Sequence, residues 1–353
     1  MIDRIDRLVA AQRMQQADVE RFGSALALHA ASPRLTGAAT AAACGAYVDR
    51  LAGRCTRVSG SGRLLGASAI GIGTHRGEAS DRVDASYARA IHHALLNGVN
   101  RIDTAGHYRG GRAERCVGAA VRLAIAQSGL SRDAVLVGSK AGFAYRSDGQ
   151  LRHSLEPGFL RDQLARSLER LGMETIDILY LHNPELRLRS AGAARFASEL
   201  ADAFELLEDA VVRGLIGGYG IATWDGLWCP ALDIERIVEL ARRVAGDAHH
   251  LRHLQTPLDT GPVDPRRSLQ ADLFRRARDC GLAIVVSAAL RWGRVRAADG
   301  GTRNACAGGW AARSVLRCLA APGVAAALVG MRQAAHLDEM IALNLGLRRH
   351  GYR

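Results

Sequence analysis

The sequence lacks several features that mark particular classes of protein. No run reaches about 18 apolar residues, so we expect no helix that spans a membrane and no membrane partner. The stretch from Met1 to Arg7 alternates in charge and has no apolar segment of the kind that a secretion signal needs. The 39 glycines follow no regular period, which excludes a collagen-like chain, and the 48% hydrophobic content excludes wholesale disorder.

Cysteine is scarce and unpaired in the sequence. The seven cysteines are odd in number, scattered and never arranged as Cys-x-x-Cys, so neither a disulfide framework nor a zinc site is expected. This pattern indicates a reducing compartment, and we therefore expect a cytoplasmic protein. His249, His250 and His253 resemble a metal cluster, but only Asp247 stands beside them as a further ligand. A packing or solvated role is the better interpretation of these histidines, and no bound metal is expected.

Lysine is nearly absent. The formal net charge is +12, and of the 47 basic residues only Lys140 is a lysine. The chain has no basic run of five or more residues and no interleaved aromatic platform, so no nucleic-acid partner is expected. A compositional bias replaces lysine by arginine wherever any cation serves, whereas a site that needs a compact ammonium with a shiftable pKa would keep lysine. Lys140 is therefore a candidate functional residue, although a single lysine could also persist by chance.

A repeating pattern organises most of the chain. From about residue 67, short apolar runs alternate with longer segments of helical period, as in successive βα units. The predicted strands lie at 67–72, 99–103, 134–139, 176–181, 216–223, 253–256, 283–287 and 325–329. Eight units of about 35 residues favour an α/β fold, a closed (β/α)8 TIM barrel, and the structural alternative is an open doubly wound sheet. No Gly-x-Gly-x-x-Gly follows the first strand, which weakens the dinucleotide-binding version of that alternative.

The first part of the chain differs from the rest. Ile2, Ile5 and Leu8 recur at helical spacing, and alanine-rich stretches follow them. We therefore predict an N-terminal, partly helical extension over residues 1–62 and a barrel domain over residues 63–353.

Four polar side chains follow three adjacent predicted strands. Asp103 ends the second strand and Tyr108 lies five positions later; Lys140 ends the third strand and His182 the fourth. The carboxyl ends of barrel strands open at one mouth, so these side chains are expected to meet. A phenol with a pKa near ~10 is a poor proton donor at neutral pH, and a nearby ammonium would lower that pKa. Lys140 would supply the ammonium, Asp103 would hold its charge, and a neutral His182 could donate a hydrogen bond to a substrate oxygen.

Each of these residues also has an ordinary structural interpretation. Asp103 could cap a loop, Tyr108 could be a packing residue, and His182 could be a hydrogen-bonded residue at the rim. It is the conjunction of the four, with the only lysine among them, that favours a catalytic site.

The same region resembles a known family, the aldo-keto reductases. The stretch from Gly98 to Tyr108, GVNRIDTAGHY, is similar to the family signature G-(I/V)-N-x-(I/F)-D-T-A-x-x-Y. The stretch from Glu114 to Gly118, ERCVG, fits the E-x-x-(V/L)-G that follows it, and VGSK ends in Lys140 as the third strand of that family does. The segment from Leu164 to Glu185 resembles the helix and strand that lead to the family's histidine. The resemblance covers roughly residues 67–345.

The resemblance implies an enzyme with a (β/α)8 barrel that reduces an aldehyde or ketone with NADPH. Tyr108 would be the general acid, Lys140 and Asp103 would tune it, and His182 would orient the carbonyl of a small-molecule substrate. The cofactor NADP(H) would be held by residues on the later strands and their loops: Thr223, Gln255, Ser287, Leu290, Gly293, Arg332, His336 and Glu339. Of these, Arg332 would bind the 2′-phosphate of NADP(H).

Some positions depart from the family pattern. The usual Ser-Asn after the fifth strand is Ala222-Thr223 here, and the usual terminal Asn is Met340. The aromatic residue that stacks on nicotinamide after the seventh strand is also replaced. The substrate pocket is expected to involve aromatic residues near the four polar side chains: His107, Phe143, Tyr145, Trp224 and Trp228.

Two further hypotheses share the barrel. In one, Lys140 is the Schiff-base nucleophile of a lyase, with Asp103 and Tyr108 transferring protons. In the other, the altered nicotinamide contacts indicate a regulatory barrel that binds NADP(H) with little turnover.

Overall fold

Eight parallel strands form a closed barrel at the centre of the molecule. The computed structural model describes residues 17, 19–52, 66–224, 232–258, 267–290 and 309–349. The barrel strands are β1 (Ile70–Gly73), β2 (Arg101–Asp103), β3 (Leu136–Ala141), β6 (Ile178–His182), β7 (Tyr219–Ala222), β8 (Leu251–Pro257), β9 (Ala283–Ser287) and β10 (Val324–Val329). They follow one another around the barrel in chain order, and β10 pairs with β1 to close it. The predicted (β/α)8 barrel is confirmed.

Helices surround the strands. They are α1 (residues 19–31), α2 (Ala41–Ala52), α3 (Asp81–Leu96), α4 (Arg112–Ser128), α5 (Pro157–Leu171), α6 (Glu185–Ala191), α7 (Ala193–Val212), α8 (Ile234–Ala245), α9 (Arg267–Asp279), α10 (Trp310–Leu319) and α11 (Ala334–Arg349). The helices that connect consecutive barrel strands bury an apolar stripe against the sheet, as the helical spacing in the sequence predicts. Within the described parts of the chain, no helix combines the length and the apolar character needed to cross a bilayer.

Strand register brings the polar strand ends to one mouth of the barrel. Asp103 is level with Gly138 of β3, Lys140 with Tyr180 of β6, and His182 with Ala222 of β7. All six residues of β3 are buried, because its faces meet both the barrel interior and the surrounding helices. The lysine near the end of this strand is therefore held inside the mouth.

The N-terminal extension packs against the base of the barrel. The backbone N–H of Ala39 donates to Oδ1 of Asp177 at 2.6 Å, just before β6. Nδ2 of Asn100, just before β2, donates to the carbonyl of Cys44 in α2 at 3.3 Å. The predicted partly helical extension is confirmed by α1 and α2. The boundary at residue 62 stays a prediction because residues 53–65 lie outside the described residues.

A short hairpin interrupts the third βα unit. Its strands are β4 (Phe143–Tyr145) and β5 (Leu151–His153), and they pair antiparallel with Phe143 opposite His153. Strands of three residues give no readable alternation in a sequence, so this hairpin is not among the eight predicted strands. The hairpin places Phe143 and His153 beside the mouth of the barrel.

Candidate active site

Lys140 lies at the centre of a buried polar cluster. Its Nζ donates to Oδ2 of Asp103 at 2.6 Å and to the carbonyl of Thr104 at 2.8 Å. The same Nζ lies 4.9 Å from the centroid of the Tyr108 ring. Lys140 is 3% exposed and Asp103 7% exposed, so these contacts form away from bulk water. The structure thus brings together Asp103, Tyr108 and Lys140, which follow two neighbouring strands in the sequence.

The ammonium of Lys140 keeps its proton in this setting. Burial would lower its pKa, but the Asp103 carboxylate and hydrogen bonds to Asp103 and Tyr108 outweigh burial, and the pKa of Lys140 is raised overall. A positively charged lysine therefore faces the phenol.

The pKa of Tyr108 moves in the direction opposite to the expected one. Burial raises the pKa of this phenol, and the charge of Lys140 and a side-chain hydrogen bond with it lower it. The Asp103 carboxylate raises it further, and the net pKa of Tyr108 is raised. The expected lowering effect of Lys140 is present, but the net pKa is raised because the loss of water destabilises the buried phenolate more than the ammonium stabilises it.

Asp103 is fixed on both its backbone and its side chain. Oδ1 of its carboxylate accepts from Nε2 of Gln255 at 2.7 Å, which leaves Oδ2 for Lys140. Its backbone carbonyl accepts from both the N–H and the hydroxyl of Thr74, each at 3.1 Å. These contacts orient the carboxylate that holds the ammonium.

His182 lies at the mouth among aromatic rings. Its ring centroid is 6.1 Å from that of Tyr108, 5.0 Å from that of His107 and 5.1 Å from that of Phe143. Burial and the positive charge of Lys140 hold the pKa of His182 well below its ordinary value, so the imidazole is neutral. A neutral imidazole carries one ring N–H and can donate it to an oxygen without transferring a proton.

The predicted pocket residues divide into two groups. His107 and Phe143 lie in the cluster, with the His107 ring 4.9 Å from that of Tyr108, and burial lowers the pKa of His107 to about 3. Tyr145 is exposed on the hairpin, and the backbone N–H of the exposed Trp224 donates to Glu185. Trp228 lies outside the described residues.

A cleft of about 380 Å³ borders the cluster. It is lined by the turn before α4, by the β4–β5 hairpin and by one face of α5, and His107, Phe143 and Tyr145 contribute to its wall. Because His107 and Phe143 contact both the cleft and the rings of the cluster, the cleft is a place where a bound molecule could extend from the mouth.

Three of the predicted cofactor residues lie at or just after the ends of β7, β8 and β9. Thr223 and Gln255 are buried at the ends of β7 and β8, where the Thr223 N–H donates to the carbonyl of Gln255 at 2.9 Å. Ser287 ends β9, and Leu290 lies three residues beyond it and packs on the core. Gly293 lies outside the described residues.

The residues after β10 include one partly buried cation and one buried acceptor. Arg332 is partly buried, with Nη1 beside Gly77 in the loop after β1. Oε1 of Glu339 is buried and has no hydrogen-bond partner among the described residues, whereas His336 is exposed on α11. A buried acceptor without a partner is costly, and a donor group on a ligand would satisfy it. A guanidinium and such an acceptor suit the phosphate and base of an adenine nucleotide.

Three contributors to the site are not among the predicted residues. The ring of His75, just after β1, lies 4.7 Å from that of Tyr108, and Nε2 of His153 donates to the carbonyl of His182 at 2.9 Å. Arg109 is buried directly after Tyr108. His75 follows a strand end, so the rule that selects Asp103 could have found it, whereas the contacts of His153 and Arg109 depend on the folded chain.

The three clustered histidines of the sequence have different contacts in the structure. His253 is buried in β8, with its ring 6.3 Å from that of Tyr180, and His250 pairs with Glu208 at 2.6 Å. In the described ranges no group of three histidine, cysteine or acidic residues is placed to hold a metal ion.

Known proteins resemble this chain in sequence. It is 27% identical over 205 residues to an NADH-specific methylglyoxal reductase of Escherichia coli (strain K12), over 56% of this chain and 54% of that protein. It is 31% identical over 146 residues to a D-threo-aldose 1-dehydrogenase of a Pseudomonas species, over 36% of this chain and 40% of that protein. The matches thus span about half the length of these curated relatives.

Solved structures share the fold. An aldo/keto reductase from Klebsiella pneumoniae in complex with NADP and acetate superimposes with a TM-score of 0.58 at 23% identity, over 80% of this chain and 91% of that chain. The glycerol dehydrogenase of Gluconobacter oxydans gives a TM-score of 0.60 at 19% identity, over 78% and 85%. The model of the aldo/keto reductase family matches residues 65–346, and the chain therefore belongs to that family.

Proposed function

We propose that this protein reduces an aldehyde or ketone to an alcohol with NADPH, and that Tyr108 is the general acid. A bound nicotinamide cofactor would supply the hydride that adds to the carbonyl carbon. The Tyr108 hydroxyl gives its proton to the carbonyl oxygen, so the carbonyl gains one hydride and one proton and becomes an alcohol. The contacts of Lys140 are the single observation that carries this proposal.

Those contacts place a fixed positive charge where negative charge develops. Nζ of Lys140 is held by Asp103 and Thr104 and faces the Tyr108 ring. When the phenol loses its proton, the ammonium stabilises the phenolate through a short distance in a buried setting. The raised pKa of Tyr108 keeps the acid protonated until a carbonyl oxygen accepts the proton.

His182 and the surrounding rings orient the substrate in this proposal. The neutral imidazole donates a hydrogen bond to the carbonyl oxygen, which also faces the Tyr108 hydroxyl. His107 and Phe143 exclude water from the oxygen, and the cleft beside them takes the rest of the substrate.

The nucleotide is assigned as NADPH on the position of Arg332. Thr223, Gln255 and Ser287 would hold the nicotinamide side, Leu290 and Gly293 the pyrophosphate, and Arg332, His336 and Glu339 the adenosine. A guanidinium recognises a 2′-phosphate through charge-assisted hydrogen bonds. One relative is NADH-specific and one structural neighbour contains NADP, so titration with both nucleotides is part of the test.

The test compares the wild type with Tyr108→Phe, which removes only the hydroxyl. We expect NADPH to bind both proteins with similar affinity, NADH to bind more weakly, and the variant to lose about 10²- to 10⁴-fold in kcat on a panel of aldehydes and ketones. Nucleotide binding is measured by intrinsic fluorescence and turnover by cofactor oxidation. Tyr47→Phe, in α2 at the base of the barrel, is the control and keeps the wild-type kcat. Wild-type turnover by Tyr108→Phe would overturn the assignment of the acid.

One observation favours a second candidate, a regulatory barrel that binds NADP(H) with little turnover. Nε2 of Gln255 is already engaged with Asp103, and the pair Ala222-Thr223 offers few groups for nicotinamide. Tight NADPH binding without multiple turnover on the same panel would favour this candidate. The lyase hypothesis is disfavoured because the raised pKa of Lys140 keeps its amine protonated and non-nucleophilic, and borohydride trapping on Lys140 would reverse that ranking.

A further inference from the structure

The turn directly after Tyr108 has an unusual backbone. Arg109 lies in the left-handed region with φ 49° and ψ 39°, and Gly110 and Gly111 follow with φ of 67° and 88°. Glycine adopts this conformation freely, but a residue with a Cβ atom does so at a cost, and arginine is not among the types that tolerate it well. Contacts outside the turn must therefore hold Arg109 in place.

The Arg109 side chain provides those contacts. Nη1 donates to the carbonyl of Thr74 at 2.6 Å, and Nε and Nη2 donate to Oδ1 of Asp84 at 3.3 and 3.2 Å. The guanidinium also lies 4.5 Å from the centroid of the Tyr87 ring. The side chain of Arg109 is 1% exposed and that of Asp84 4% exposed, so this anchor is shielded from water and from salt.

Asp84 ties both ends of the turn to α3. Its Oδ2 accepts from Nε of Arg112, the first residue of α4, at 2.6 Å, while its Oδ1 holds Arg109. Asp84 lies in the first turn of α3, where the helix dipole favours a carboxylate. Thr74, the other partner of Arg109, donates to the backbone carbonyl of Asp103. The anchor therefore links the turn after Tyr108 to the strand end that carries Asp103.

We propose that Arg109 and Asp84 position the general acid: their buried ion pair holds the left-handed turn that sets the Tyr108 hydroxyl against Lys140. The inference rests on the proposed function of Tyr108. Tyr108 is the chain neighbour of Arg109, so release of the turn moves the phenol relative to a lysine that β3 fixes independently. A shift of about 1 Å in a catalytic group is enough to cost about 10²-fold in rate.

Arg109→Gly removes the side-chain contacts of Arg109 without straining the left-handed backbone of the turn. Glycine adopts the left-handed conformation without strain, and Asp84 keeps Arg112 as its partner, so no buried charge is left alone. We expect kcat to fall about 10- to 100-fold while the KM for NADPH stays within about threefold. We also expect a larger solvent deuterium isotope effect on kcat, because a misplaced acid makes proton transfer more rate-limiting.

Arg109→Lys is the second variant, for use if Arg109→Gly does not fold. An ammonium cannot reach both Thr74 and Asp84 as the guanidinium fork does, so we expect about a three- to tenfold lower kcat and the same change in isotope effect. Arg82→Ala, which breaks the exposed ion pair of α3 with Glu78, is the matched control and should retain the wild-type kcat.

The outcomes separate this inference from the proposed function. Suppose that Tyr108→Phe loses turnover while Arg109→Gly, or Arg109→Lys if Arg109→Gly does not fold, keeps the wild-type kcat. That result would overturn the positioning role alone. A fall in kcat that follows the loss of folded protein, with the isotope effect unchanged, would show a structural role and would also overturn it. Full turnover by Tyr108→Phe would instead reject the proposed function.

Discussion

At the scale of single residues, burial determines the charge states in the candidate site. Removal of water raises the pKa of Tyr108 and lowers the pKa values of His107 and His182. Lys140 is the exception, because Asp103 more than offsets the effect of burial on the ammonium. These four side chains are therefore a neutral phenol, two neutral imidazoles and one ammonium in the free protein, which is the state that the proposed reduction requires.

This arrangement predicts the pH dependence of carbonyl reduction. In the proposed reaction the protonated form of Tyr108 is the acid, and a raised pKa extends its range above the ordinary value of about 10. We expect kcat/KM for reduction to be flat from about pH 6 to pH 9 and to fall only at higher pH. Initial rates measured across this range test the expectation. A descending limb centred between about pH 7 and pH 8 would mean that Lys140 lowers the pKa of Tyr108 by more than burial raises it.

The residues of the site differ in how readable they are from the sequence. Asp103, Lys140 and His182 are predictable because each ends a strand and because parallel strands bring their ends to one mouth. Arg109 is not predictable, since its left-handed backbone depends on Asp84, which lies 25 positions away in another helix. The direction of the Tyr108 pKa is not predictable either, because it depends on how completely the folded chain excludes water.

At the scale of elements, the predicted strands and helices of the eight βα units are present, with ends that differ by a few residues. A run of apolar residues long enough to cross the barrel indicates a buried strand in the sequence. An example is β9, which is observed at Ala283–Ser287 as predicted. The β4–β5 hairpin and α6 carry no such signal because they are short and lie on the surface of the mouth. Their positions depend on contacts such as that between His153 and the carbonyl of His182.

A buried carboxylate at the base of the barrel contacts both the N-terminal extension and a buried arginine. Asp177, just before β6, accepts from the N–H of Ala39, from the N–H of Val137 and from Nη2 of Arg132. We expect Asp177→Ala to lower the free energy of unfolding by about 3–5 kcal/mol, because the buried guanidinium of Arg132 loses its counter-charge. Urea unfolding measures the change. Asp209→Ala, which breaks an exposed pair with Arg213, should change it by less than about 0.5 kcal/mol. Equal effects of the two substitutions would show that the buried pair of Asp177 with Arg132 stabilises the fold no more than an exposed pair does.

At the scale of the whole molecule, buried neutral histidines are distributed through the barrel and its helices. Burial lowers the pKa of each of the following: His29, His92, His249 and His253. In the unfolded chain a histidine has a pKa of about 6.5, so below that pH the unfolded state binds protons that the folded state does not. The stability that these residues contribute is present above about pH 6.5 and is lost as the pH falls below it.

His253 allows this effect to be measured at one position. It is 5% exposed in β8, and burial, with the charges of Arg101 and Arg252, lowers its pKa to about 3. Between pH 7 and pH 5 the wild type should therefore lose about 2 kcal/mol through this residue alone. His253→Gln cannot titrate, so its free energy of unfolding should fall by about 2 kcal/mol less over the same interval, whatever its stability at pH 7. Urea unfolding of both proteins at the two pH values gives the difference, and parallel losses would show that the folded barrel admits a proton to His253.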